Sequence, residues 1–123
     1  MTHKHIDDCP TFVAGDHTHL KEVLHPNSLD FDPGFSLAHA FLLPGDASKP
    51  HVLTHSETYY FLSGEGNIFV DGELHKVRTG SCVYVPGHAK QWVENTGTEK
   101  LVFLCIVQPA WTPSCESISE DHE

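Results

Sequence analysis

Between residues 35 and 107 apolar side chains recur at every second position, and each short run ends at a turn pair. Alternation of period two puts successive side chains on opposite faces of an extended chain, so runs cut this often read as an all-β sandwich or barrel. The runs are 35–43, closed by Pro44-Gly45, then 58–62 and 67–70 on either side of Ser63-Gly64-Glu65-Gly66. Asp71-Gly72 is a hairpin signal leading into 74–77, Thr79-Gly80 leads into 81–85, and Pro86-Gly87 separates that run from 91–94. Asn95-Thr96-Gly97-Thr98 precedes the last run, 101–107. About eight short strands are expected after residue 34, joined by connections typical of antiparallel sheets. Before them, residues 19–25 read either as a short helix, with Leu20, Val23 and Leu24 on one side, or as a strand ending at Pro26. The chain therefore divides into an N-terminal arm over residues 1–34 that packs on the barrel, a barrel over 35–112, and a polar, acidic, frayed tail over 113–123.

With 123 residues the chain is sized for one domain and one core. Seventeen acidic residues against seven Lys and Arg give a formal charge of −10, which repels phosphate backbones and anionic lipid, so nucleic acid and membrane partners are not expected. The longest apolar run, Leu101 to Val107, is far too short to cross a bilayer. Met1 to Asp8 contain no apolar export region, and a cytoplasmic location is expected. The four cysteines form no CxxC pair; Cys82 and Cys105 read as small core residues, and Cys9 and Cys115 receive no role. Phosphate-cradling glycine loops and a nucleophile elbow are missing, which disfavours hydrolysis through a covalent intermediate.

The chemistry concentrates between Gly45 and Gly66, where His51, His55, Glu57 and Tyr59 fall on a short strand pair. Imidazole and carboxylate are the side chains that first-row divalent cations select, and inward alternation can aim them at one point. Gly45, His51, Glu57 and Gly64 stand at the spacing Gly-x5-His-x-His-x3-Glu-x6-Gly, and Gly80, Pro86 and Asn95 at the spacing Gly-x5-Pro-x-Gly-x2-His-x3-Asn. On these two motifs the chain resembles the small single-domain cupins over roughly residues 34–108. The resemblance implies a double-stranded β-helix, or jelly-roll barrel, with an internal pocket.

Two of the four ligands that the family usually carries are replaced here: Leu53 stands for the second histidine of the first motif and Gln91 for the histidine of the second. His88 stands where the second motif has its glycine, after Gly87. His39 shares a face with Phe35, Leu37 and Phe41, taken as the interior face, and is a substitute ligand or a buried hydrogen-bonding residue. His55 is a further ligand candidate if the strand runs regularly to Glu57, and a turn histidine if it does not. Gln91 points inward with Val93, as a weak ligand or a hydrogen-bonding group for substrate. Tyr59 is in phase with Glu57, whereas Tyr60 is not. Trp92 and Trp111 read as packing or subunit-contact residues, and His3-x-His5 and His17-x-His19 as adventitious metal sites at most.

Three functions remain open. In the first, His51, Glu57 and one or more of His39, His55 and Gln91 hold a divalent ion, zinc, nickel, iron or manganese, for isomerase, lyase or dioxygenase-like chemistry on a small polar organic substrate lined by Tyr59, His39 and Gln91. In the second, the barrel is a metal-free binding or sensor module. In the third, Glu57 or His51 transfers protons without metal. The resemblance also implies a homodimer.

Overall fold

The computed structural model describes residues 2–122. Among the described residues, eleven strands form two antiparallel sheets. The six-stranded sheet runs β1 (Phe12–Val13), β2 (His19–Leu24), β3 (Ser36–Leu42), β10 (Leu101–Gln108), β5 (Ser56–Ser63) and β8 (Cys82–Val85). The five-stranded sheet runs β11 (Glu116–Ile118), β4 (His51–Leu53), β9 (Lys90–Asn95), β6 (Glu65–Val70) and β7 (Glu73–Arg78). The β6–β7 turn is made by Asp71 and Gly72 at φ 49° and 82°, the left-handed pair that a two-residue hairpin needs. Among the described residues no helix is long and apolar enough to cross a membrane.

The main core lies between the sheets, and a smaller cluster of Leu53, Val107, Cys115 and Trp111 lies apart from it. Phe61, Phe103, Leu42, Leu101, Val85 and Tyr59 come from the larger sheet, and Ile68, Val77 and Val93 from the smaller. Each large side chain there contributes about 1.5–3 kcal/mol by leaving water. β10 is the organising strand, because it pairs with β3 on one edge and β5 on the other. Phe103 lies opposite both Ala40 and Phe61, so aromatic bulk from β5 and β10 fills the interior there and leaves β3 space only for a methyl group at residue 40.

That geometry inverts the expected face of β3. Ser36, Ala40 and Leu42 are buried, whereas His39 and Phe41 lie on the outer face. There His19 stacks on Phe41 at 4.7 Å, the Lys100 ammonium sits over the same ring, and His39 is paired with Lys21 across β2. Of the two readings of residues 19–25, the strand is the one found. Two further expectations change: Glu116–Ile118 pair with β4 instead of fraying, and Cys82 is exposed, while Cys9, Cys105 and Cys115 are buried free thiols.

Gly66 marks the tightest contact between sheet neighbours. A Cβ there would collide with the Glu94 carbonyl and lie 2.7 Å from Leu101 Cδ2, at a position with no φ constraint of its own. Gly66→Ala is expected to cost about 1–3 kcal/mol, as overpacking does. Urea denaturation of the variant checks this, and an unchanged midpoint would contradict the packing described.

Candidate functional site

β4 opens at His51, whose cross-strand partners are Gln91 in β9 and Ile118 in β11. Glu57 lies near the start of β5 opposite Val107 and Val85, and Tyr59 follows one pleat later opposite Cys105. Inward alternation from both sheets thus brings His51, Glu57, Tyr59 and Gln91 to the same end of the interior. A cavity of about 170 Å³ lies beside them. Asp16, from the turn between β1 and β2, and Glu116 and Trp111, from the C-terminal segment, complete its wall.

His51 is 4% exposed and sits between two carboxylates. Its Nε2 lies 3.6 Å from Glu57 Oε1 and its Nδ1 3.7 Å from Asp16 Oδ2, and Nδ1 donates to the Lys49 carbonyl at 3.0 Å. Burial by itself lowers the pKa of an imidazole. Here the hydrogen bond and charge of Glu57, the charge of Asp16 and the Lys49 carbonyl outweigh it and raise His51 to about 9. At neutral pH the ring is an imidazolium and a proton donor.

The Tyr59 hydroxyl is within reach of Glu57 Oε1 at 3.2 Å and of the Gln91 side-chain oxygen, and donates its one proton to either. Burial, then the charge of Glu57, hold its pKa well above the usual phenol value. Cys105 is likewise pushed up by burial and by Glu57, which keeps it a thiol. Glu116 is raised by burial, against the pull of His51, and takes a hydrogen bond from the Trp111 side chain.

Of the residues singled out in the sequence, His51, Glu57 and Tyr59 line the cavity and Gln91 bonds to Tyr59. His39 does not: it is on the outer face of β3, where partial burial and then Lys21 lower its pKa. Nor does His55. The chain crosses from one sheet to the other between β4 and β5, alternation breaks there, and His55 Nδ1 bonds to the Pro109 carbonyl at 2.9 Å. Trp111, taken for a packing residue, borders the cavity. Asp16, Glu22, His25, Cys105 and Glu116 also border it, and sequence reasoning missed them. The Ala14-Gly15-Asp16 turn carries no motif, and Glu116 lies in a segment that reads as solvated tail.

The donor set does not fit a divalent ion. Among the described residues no group of three or more His, Cys, Asp and Glu side chains is placed to hold one. Leu53 presents hydrocarbon to the cavity where the cupin pattern has an imidazole, and the Gln91 oxygen is engaged by Tyr59. His25 also borders the cavity, but its Nε2 donates to the Trp111 carbonyl at 2.7 Å and its Nδ1 accepts from the Asn27 N–H at 3.1 Å. His51 alone presents a ring to Glu57. His88 takes the left-handed φ of 72° where the motif's glycine would stand, and Asn95 bridges the Leu42 and Glu99 carbonyls, so the second motif here is structural.

Two facing antiparallel sheets with an internal cavity between them, mainly apolar and with its polar groups gathered at one end, define an all-β fold of the jelly-roll type. The chain belongs to the cupin family: the Cupin_2 (cupin domain) model matches residues 38–107. It is similar to the uncharacterized protein MJ1618 of Methanocaldococcus jannaschii, 30% identical over 115 residues, covering 93% of this chain and 91% of that one. L-ectoine synthase of Vibrio parahaemolyticus is 26% identical over 84 residues, covering 68% of this chain and 66% of that one. Among solved structures, Pac13 of Streptomyces, a nucleoside dehydratase, superposes with a TM-score of 0.74 at 18% identity, covering 99% of this chain and 98% of that one.

The His51 charge is testable directly. Its ring is expected to titrate near pH 9 by ¹H–¹⁵N NMR, and in Glu57→Gln to fall toward the ordinary value near 6.5. Because the folded value lies above the unfolded one, the stabilisation is complete below about pH 6.5 and is lost as pH rises through about 9. Denaturation across that window should show a loss on the order of 3 kcal/mol that His51→Gln lacks. Titration of the ring at or below 6.5 would contradict the arrangement.

Proposed function

We propose that the cavity binds a small organic molecule and acts on it by proton transfer without a resident metal, as a lyase or dehydratase-type enzyme. The observation that carries this is the buried pair of His51 imidazolium and Glu57 carboxylate, 3.6 Å apart at the cavity wall. The metal-dependent alternative is not adopted, because the cavity supplies one usable imidazole and a leucine where that chemistry calls for further ligands.

In the elimination we propose, the Glu57 carboxylate takes the proton from a carbon next to a carbonyl, and that C–H electron pair becomes the new C=C bond. The C–O bond at the neighbouring carbon breaks, and the departing oxygen takes the proton of His51 and leaves as water. Glu57 is then protonated and His51 neutral, and transfer across their contact restores both. The Tyr59 hydroxyl, kept neutral by burial, is a donor for substrate oxygen. Isomerisation uses the same groups without loss of water. The nucleoside dehydratase among the similar folds, one structure of which holds uridine, supports elimination as chemistry that this architecture accommodates.

The test uses 4-hydroxy-2-butanone and threonine amide in D₂O, followed by ¹H NMR for exchange next to the carbonyl and for loss of water. Wild-type protein treated with a chelator is expected to exchange or dehydrate at least one of them. His51→Gln and Glu57→Gln are each expected to lose about 10²–10⁴-fold. Inactive wild type, or fully active variants, would refute the reading. Metal analysis gives a second check: wild type should hold less than about a tenth of an equivalent and take up none on reconstitution, whereas Leu53→His with Gln91→His should gain zinc.

A further inference from the structure

The cavity wall carries an imbalance of charge that the His51–Glu57 pair does not settle. Asp16, Glu22, Glu57 and Glu116 all border the cavity, and among the described residues bordering it there is no Lys or Arg. Basic side chains lie close by in sequence and are directed elsewhere. Lys49, two residues before His51, reaches out to Glu120 at 2.9 Å, and Lys21, one residue before Glu22, bonds to the Ile6 carbonyl at 3.0 Å. The His25 ring nitrogens are both engaged by main chain. The imidazolium of His51 is therefore shared by the Glu57 and Asp16 carboxylates, whose side chains are only 9% and 14% exposed, and it faces Glu116 as well.

A carboxylate withdrawn from water without its own counter-charge is held at a cost. Glu116 carries that signature: burial raises its pKa even though His51 opposes the rise. Trp111, Tyr59 and Phe12 border the same cavity, and aromatic rings favour cations. The net charge of −10 further disfavours the approach of anions.

Asp16, Trp111 and Glu116 all fall outside the family-matched residues 38–107. They belong to the terminal segments, which meet over the cavity: Lys49 N–H donates to the Asp16 carbonyl at 2.7 Å, and Gly15 lies against Ile118.

We infer that Asp16 and Glu116 make this cavity selective for a small organic cation, an ammonium or guanidinium compound, over neutral and anionic molecules of the same size; this rests on the cavity being the ligand site of the proposed function. The cationic group sits between the two carboxylates and against Trp111. The part of the ligand that reacts is left facing His51 and Glu57.

Guanidinium, acetamide and acetate are planar probes of nearly equal size that differ in charge. Each is titrated at millimolar concentration, constant ionic strength and pH 7 into full-length protein, with amide shifts of cavity residues followed by ¹H–¹⁵N NMR. Guanidinium is expected to saturate, with acetamide and acetate showing no saturable shift, and Glu116→Gln should weaken guanidinium by about five-fold or more. Glu22→Gln, at the exposed rim, should weaken it measurably and carries the same test if the Glu116 variant does not fold. Acetate or acetamide binding as tightly as guanidinium, no saturation by guanidinium, or folded variants with unchanged affinity would each overturn the inference. Exchange of 4-hydroxy-2-butanone in D₂O without guanidinium selectivity removes this inference alone. Guanidinium selectivity with no proton exchange on either substrate removes the proton-transfer reading and supports the binding class.

Discussion

A charged imidazole that is almost wholly out of water has to be held by opposite charge, and His51 is held from both sides. Glu57 comes from β5 in one sheet, His51 from β4 in the other, and Asp16 from the turn between β1 and β2. The contact therefore ties together two sheets and the N-terminal hairpin. Removing one member would leave the others desolvated without compensation, which is more damaging than the net worth of the pair. The same electrostatics set the chemistry. A donor at neutral pH next to a carboxylate base is the pairing that elimination and isomerisation need, and it arises from burial and charge alone.

The position of that pair depends on how the interior is filled. Tyr59, Phe61 and Phe103 occupy the middle of the core and stack or tilt against one another at 5.3–6.1 Å between centroids. Their bulk consumes the volume between the sheets through the centre and gives way to shorter groups, Glu57 and Cys105, toward the cavity end. Close packing thus supplies a rigid wall behind the polar groups, so their separations are set by strand pairing and not by loop conformation.

Much of this was legible in the sequence. Period-two runs and turn pairs indicated the sheets, and the spacing of Gly45, His51, Glu57 and Gly64 put the cavity pair on two successive short strands, which the structure divides between the two sheets. His39 was misread for a definite reason. Alternation says which residues share a face but not which face is inside, and the bulkier set, Phe35, Leu37 and Phe41, was assigned inward when the space was already taken by Phe61 and Phe103. His55 failed differently, because two-residue phase is preserved only within a strand and the chain changes sheets at that point. Asp16 and Glu116 were invisible because each depends on a long-range pairing of a terminal segment, β2 with β3 and β11 with β4, that no local pattern announces.

The division of labour between these regions has a chemical logic. Residues 38–107 carry His51, Glu57, Tyr59 and Gln91, the groups proposed to handle protons, on regular strands. Asp16, Glu116 and the Trp111 indole, which would greet a ligand, lie on the segments that flank this region. Substitution in such a segment can change the charge presented to the cavity while leaving the strand registers that fix the acid–base distance untouched. Loss of two imidazoles at 53 and 91 fits the same scheme. A metal at His51 would have to displace the proton that Glu57 and Asp16 favour there, and with Leu53 and Gln91 in place of further imidazoles little coordination would offset that cost. On the proposed reading, the chemistry of this interior is that of the proton.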